Sequence, residues 1–195
     1  MGLECVTSWK GATETIVIND GSSDASGIVL KRFSSSIRLI THKTNKGKGH
    51  AMAKGIQKSQ GDILMFLDGD IKGLTYADLD ALIQPIIRFE TDMTLGIVRF
   101  HRLKRFSIAS SITGQRAVWK KNITPHLQRL ASSGFGAEIV LNDIHKQLRV
   151  VTVQLSTVTI VDKFKKHPLH MAIISYIREW FEVASEWLSV WKVYT

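Results

Sequence analysis

Gly61-Asp62-Ile63-Leu64-Met65-Phe66-Leu67-Asp68-Gly69-Asp70 decides the fold class. A turn signal opens this stretch. The five large apolar residues Ile63 to Leu67 then read as a strand buried on both faces, the kind found inside a parallel sheet. The run ends in two carboxylates separated by one glycine. Ligands of open α/β sheets bind at the carboxyl ends of the strands, and residues two apart on an extended backbone point the same way. Asp68 and Asp70 are therefore expected to face one point. A hard divalent cation such as Mg²⁺ would offset their charges there, while keeping water and substrate phosphates as its other ligands. The same residues also suit an acidic turn that merely ends a strand.

Working outward, Glu14 to Asn19 reads as a strand closed by the turn-rich Asp20-Gly21-Ser22-Ser23-Asp24. A helix is expected from Asp24 to about Phe33, and a second strand over Ile37–Thr41. Asn45-Lys46-Gly47-Lys48-Gly49-His50 then runs into a helix. Its glycines would let the backbone approach a ligand, and the helix start offers free N–H groups to phosphate. The spacing is not that of a Walker loop, and a plain basic turn before a surface helix fits it equally. Strands alternating with helices predict a doubly wound α/β fold with a mainly parallel sheet. Asp20, the loop from Asn45 to Gly49, and Asp68 with Asp70 then share one sheet edge, and this convergence weighs more than any single motif.

Downstream, Thr75 and Asp78 form a capping box for a helix with the apolar stripe Leu79, Leu82, Ile83 and Ile86, bent or shortened at Pro85. Met93 to Arg99 is a strand; 100–111 is a helix or ordered loop; Gly114 to Trp119 starts a short helix; Thr124-Pro125 opens another. Gly134-Phe135-Gly136 precedes a helix from Ala137 to Leu148 with Glu138 in its first turn, followed by strands over Arg149–Leu155 and Thr157–Val161. After Pro168 an amphipathic helix carries Ile173, Ile177, Trp180, Phe181 and Trp187 on one side, for packing on the core, on a partner copy or on a membrane surface.

A chain of 195 residues suits one domain, and 44% hydrophobic with 22% charged residues is ordinary for a soluble globular protein. No apolar run spans a bilayer and the start shows no secretory signal, so a cytoplasmic setting is expected, with contact limited to the inner face of the membrane. The single cysteine, Cys5, excludes an internal disulfide and fits a reducing compartment. The formal net charge of +9 favours an anionic partner: nucleotide, phospholipid surface or nucleic acid. Nucleic acid ranks last, because neither an RNP-like aromatic strand nor a helix-turn-helix signature is present.

The blocks Val17-Ile18-Asn19-Asp20-Gly21-Ser22-Ser23-Asp24, Asn45-Lys46-Gly47-Lys48-Gly49 and Gly61-Asp62 through Asp68-Gly69-Asp70 resemble, in order and spacing, the family 2 glycosyltransferases of the GT-A fold. Thr113-Gly114-Gln115-Arg116-Ala117 and Ser133-Gly134-Phe135-Gly136-Ala137-Glu138 are similar to the second half of small bacterial members related to dolichyl-phosphate-sugar and glucosyl-3-phosphoglycerate synthases. The resemblance implies a glycosyltransferase domain over 1–167 and an amphipathic helix over 168–195. It implies transfer of a sugar from a UDP- or GDP-sugar donor, with Mg²⁺ or Mn²⁺ on the diphosphate. The implied acceptor is a lipid phosphate or cell-envelope glycan precursor, and a homo-oligomer is compatible.

Carried over by position, Asp20, with Gly21 and Ser22, would read the nucleotide base or ribose. Asn45, Lys46, Gly47 and Lys48 would line the nucleotide pocket. Asp68 would lie near ribose and metal, and Asp70 would be a metal ligand. Gln115 and Arg116 would bind the acceptor or the leaving diphosphate, and Glu138 would be the base. For Glu138, an acid favoured by the helix dipole fits as well. Two departures stand out. The chain enters at the end of the helix that follows the family's first strand, which predicts an open interior sheet edge and a nucleotide pocket lacking one wall. The additional metal-ligating histidine of many members has no counterpart in 157–166; His167 and His170 come slightly late.

Overall fold

The computed structural model describes residues 2–22, 26–98, 113–155 and 157–160. The deciding stretch is a strand, β3, over Ile63–Phe66, one residue shorter than expected, with only Leu64 fully buried and with an antiparallel instead of a parallel ladder partner. Its neighbour is β6, Arg116–Trp119, antiparallel to it with Leu64 opposite Val118. β5 (Met93–Val98) continues the sheet antiparallel to β6, and β7 (Val150–Leu155) closes it parallel to β5, giving the order β3-β6-β5-β7. β6 alone is reversed, so the sheet is mixed but mainly of one direction. The expected helix start over Gly114–Trp119 is corrected: Ala117-Val118-Trp119 lies between two strands, where branched and aromatic side chains pack well. Helix begins only afterwards, with α5 at Lys120–Ile123.

β1 (Ile16–Asp20) and β2 (Arg38–His42) form a separate parallel pair, with Asp20 opposite His42. Among the described residues no ladder joins β1 to β3. Contacts of neighbouring segments link the two strands at both ends. At their entry, Glu14 Oε1 accepts the N–H groups of Gln60 at 2.5 Å and Gly61 at 3.3 Å. At their exit, both meet the start of α3, Lys48–Lys58.

Strand alternation then assigns two cores. Leu64 packs with Ala53 and Ile56 of α3 and with Val140 and Leu141 of α7 (Ala137–Ile144). Ile63, Met65 and Leu67 pack on the other face against Leu79, Leu82 and Ile86 of α4 (Tyr76–Ile87), beside Cys5 and Val6 of α1 (Gly2–Ser8). Each such buried aliphatic side chain contributes roughly 1.5–3 kcal/mol. The Thr75–Asp78 capping box of α4 is present, and Pro85 is accommodated inside the helix. A small antiparallel pair, Ile71–Lys72 with Thr159–Ile160, reaches the predicted last strand. Ser23, Asp24, the 100–111 segment, His167, His170 and the helix expected after Pro168 lie outside the described residues. No helix among the described residues is long and apolar enough to cross a membrane.

Candidate active site

The exit ends of β1 and β3 deliver two carboxylates to opposite sides of the α3 N-terminus. On the β1 side, Asp20 is tied down by the protein itself. Its Oδ1 lies 2.6 Å from His42 Nδ1 and accepts the Lys46 N–H at 3.0 Å. Its Oδ2 accepts the N–H groups of Lys46 at 3.0 Å and Gly47 at 2.8 Å. Partial burial opposes the charge, but His42 and these amides outweigh it and hold the Asp20 carboxyl below the usual carboxylate range. Asp20 therefore braces the Asn45–Gly47 loop through both of its carboxylate oxygens. Asn45 tightens the same loop by accepting the Gly47 N–H at 2.9 Å, and Ser22 donates its backbone N–H to Asn19 at 3.0 Å. Gly21 adopts φ 75° and Gly47 φ 91°, which only glycine takes without strain.

On the β3 side the partners are side chains. Lys48 Nζ reaches Asp68 Oδ1 at 2.6 Å and Glu138 Oε1 at 2.5 Å. Burial works against the ammonium, but Glu138 and Asp68 prevail and raise its pKa. The second oxygen of Asp68 accepts the Gln115 side-chain amide at 2.9 Å. Gln115 is buried and also meets the Thr113 hydroxyl at 2.7 Å. Glu138 sits in the first turn of α7 and is only 5% exposed, so its charge is matched by Lys48 as well as by the helix dipole.

Arg116 departs from expectation. It is completely buried, and its guanidinium holds the Thr113 carbonyl, Asn142 Oδ1 at 3.1 Å and, more weakly, the Glu138 carbonyl at 3.5 Å. Burial pushes its pKa down to about 10. It is an internal strut that ties the Thr113 carbonyl to the start of α7. Gln115, equally interior, donates its amide to Asp68.

Asp68 and Asp70 also differ from the extended-strand picture. β3 ends at Phe66, and Asp68 opens a turn in which its carbonyl accepts the Ile71 N–H at 3.3 Å. Asp70 is half-buried with no hydrogen-bonding or ionic partner among the described residues. No cluster of three His, Cys, Asp or Glu side chains among the described residues could hold a metal alone. Two carboxylates at one turn do suit a hard cation that takes its remaining ligands from phosphate and water. The ammonium of Lys48 against Asp68 shows that positive charge is accepted there.

The glycine-rich loop serves packing more than ligand approach. A Cβ on Gly49 would overlap the Leu130 carbonyl and Ser133 Oγ, and one on Gly47 would come within 3.3 Å of Gly134. These glycines let α3 close on α6, Leu127–Ser132, and on the turn after it. Sequence reasoning missed His42. Its signal was present: it occupies the last position of β2, level with Asp20 at the end of β1. Its Nε2, like His50 Nδ1, is buried without a hydrogen-bond partner among the described residues, and the two rings meet edge-on with centroids 5.0 Å apart.

Residues 3–142 match the family model described as "Glycosyl transferase family 2". The chain is 34% identical over 104 residues to the poly-beta-1,6-N-acetyl-D-glucosamine synthase of Staphylococcus aureus (strain COL), covering 52% of this chain and 24% of that protein. The synthase of the same name from Staphylococcus epidermidis is 33% identical over the same length. The chain thus spans about a quarter of these relatives, the 24% covered. Among solved structures, glucosyl-3-phosphoglycerate synthase from Mycobacterium tuberculosis, in complex with Mn²⁺, UDP and glucosyl-3-phosphoglycerate, superimposes with a TM-score of 0.72 at 19% identity, over 96% of this chain and 74% of that one. Its complex with Mg²⁺ and UDP gives 0.68 at 20% identity, over 92% and 68%.

Proposed function

The chain belongs to glycosyl transferase family 2 and has the GT-A fold, and from that premise we propose that it transfers a sugar from a UDP- or GDP-sugar to an acceptor hydroxyl, with Mg²⁺ or Mn²⁺ on the donor diphosphate. The observation that carries this reading is the Lys48 bridge between Asp68 and Glu138 at the head of α3. It puts a cation, a candidate metal ligand and a candidate base at one point. Support also comes from the solved relatives, which hold UDP with Mn²⁺ or Mg²⁺.

Asp68 and Asp70 would hold the metal, which neutralises charge developing on the departing nucleoside diphosphate. Lys48 moves its ammonium from Asp68 toward the diphosphate and shares that task. Glu138, released from Lys48, accepts the proton of the attacking hydroxyl at its Oε1. Arg116 and Asn142 hold the start of α7, and with it Glu138, in place. The loop ordered by Asp20 offers the nucleoside its wall. The acceptor is a lipid phosphate or cell-envelope glycan precursor, met at the inner face of the membrane; the net charge of +9 supports an anionic one.

Calorimetry tests the donor half. The protein should bind UDP or GDP much more tightly when Mn²⁺ is present, and Asp70→Ala should abolish that Mn²⁺ dependence. Absence of nucleotide binding by the unaltered protein with metal present would overturn the reading.

A further inference from the structure

We propose that Gly114 and Gln115 form a preset seat for Asp68, acting as positioning residues for the carboxylate and not as acceptor contacts. The backbone at Gly114 is pinned on both sides. Thr113 Oγ1 lies 2.7 Å from the Gly96 carbonyl, and the Gly96 N–H donates to the Gln115 carbonyl at 2.8 Å. Arg116 holds the Thr113 carbonyl from below. A Cβ added at Gly114 would overlap both carboxylate oxygens of Asp68. The glycine has an ordinary φ, so alanine is tolerable to the backbone. Since that backbone cannot retreat, the Asp68 side chain must swing away.

Gln115 completes the seat. Its amide nitrogen lies 2.9 Å from Asp68 Oδ2 and, because a carboxylate only accepts, donates to it; the amide oxygen then faces the Thr113 hydroxyl, whose one proton is shared between it and the Gly96 carbonyl. Asp68 is thus held by a neutral donor on one oxygen, leaving the other to a cation, now the Lys48 ammonium. This arrangement aims a metal-binding oxygen while letting the positive partner exchange. The functional half of the inference rests on the donor reading above; the geometric half does not.

The experiment compares the full chain with Gly114→Ala and Gln115→Leu, the second removing the amide donor without adding bulk over Asp68. Melting temperature, a crystal structure of each, and UDP affinity with Mn²⁺ and with EDTA are measured. Both variants should still fold, each melting somewhat below the unaltered protein because Asp68 loses a partner, and Asp68 should be displaced from its present position in both. The gain in UDP affinity produced by Mn²⁺ should shrink by about 10–100-fold, as for other groups that orient metal ligands, while affinity in EDTA stays unchanged. Asp68 unmoved in both variants, or an undiminished Mn²⁺ gain, would overturn the seat. If the unaltered protein binds no UDP with Mn²⁺, the donor reading fails, and the position of Asp68 in the two crystals still decides the seat.

Discussion

The exits of β1 and β3 look alike in sequence, each an apolar strand followed by an aspartate and a glycine, yet their carboxylates are held by different kinds of partner. Asp20 is gripped chiefly by backbone amides of a neighbouring loop and by a buried histidine. Asp68 is gripped by the ends of two side chains, one of them a lysine shared with Glu138. Backbone partners cannot leave without unfolding the loop, whereas a lysine can swing away. The first carboxylate is built into the fold, and the second is held by partners that can exchange.

The sharpest way to break this contrast is Lys48→Met. It leaves Asp68 and Glu138 facing each other without their cation. Removing one partner of a buried ion pair costs about 3–5 kcal/mol; Lys48 and Asp68 each keep 30% side-chain exposure, so about 2–3 kcal/mol is expected here. If the Asp68 site accepts any cation, millimolar Mn²⁺ should restore part of the lost stability and raise the melting temperature of Lys48→Met more than that of the unaltered protein. Equal shifts would mean that Lys48 fills a purely structural place.

Asp20→Asn tests the other strand end. The new amide must turn its NH₂ toward backbone N–H donors or toward His42, so donors face donors. A loss of about 1–3 kcal/mol is expected, the range for hydrogen bonds to a charged group, and Mn²⁺ should recover none of it. The pH dependence has a definite sign. The folded Asp20 carboxyl titrates below its unfolded value, so its contribution is present above the unfolded value near about 4 and disappears as pH falls through the folded one. Acid unfolding should therefore fall less steeply with pH in Asp20→Asn than in the unaltered protein. Identical slopes would contradict the brace.

What the sequence made legible follows the same division. Local chemistry was readable: the apolar run of β3, the Thr75–Asp78 capping box and the turn glycine at Gly21 came from short-range rules. So did the grouping of Asp20, the Asn45–Gly49 loop and Asp68 at one edge, which needs only strand order. Contacts between distant segments were not readable. Gly114 to Trp119 reads as the start of a short helix, and only its place between β3 and β5 makes Arg116–Trp119 a strand. Gly49 reads as a phosphate-loop glycine until α6 is seen against it. Arg116 reads as an anion binder until its burial is known, because a side chain's depth depends on the whole sheet.

His42 gives the finest test, because it touches only one side of Asp20. His42→Ala removes a single partner at 2.6 Å and leaves the amides of Lys46 and Gly47 in place. It also removes a buried Nε2 that has no hydrogen-bond partner among the described residues, an atom whose desolvation is uncompensated. The two effects oppose each other, so a loss of about 1 kcal/mol or less is expected, smaller than for Asp20→Asn. Paired in a double-mutant cycle with Asp20→Asn, the coupling should be positive and confined to these two residues, with no coupling to Lys48→Met. Coupling to Lys48 would mean that the two strand ends work as one unit through the start of α3, and the contrast between a fixed and an exchangeable carboxylate would then have to be given up.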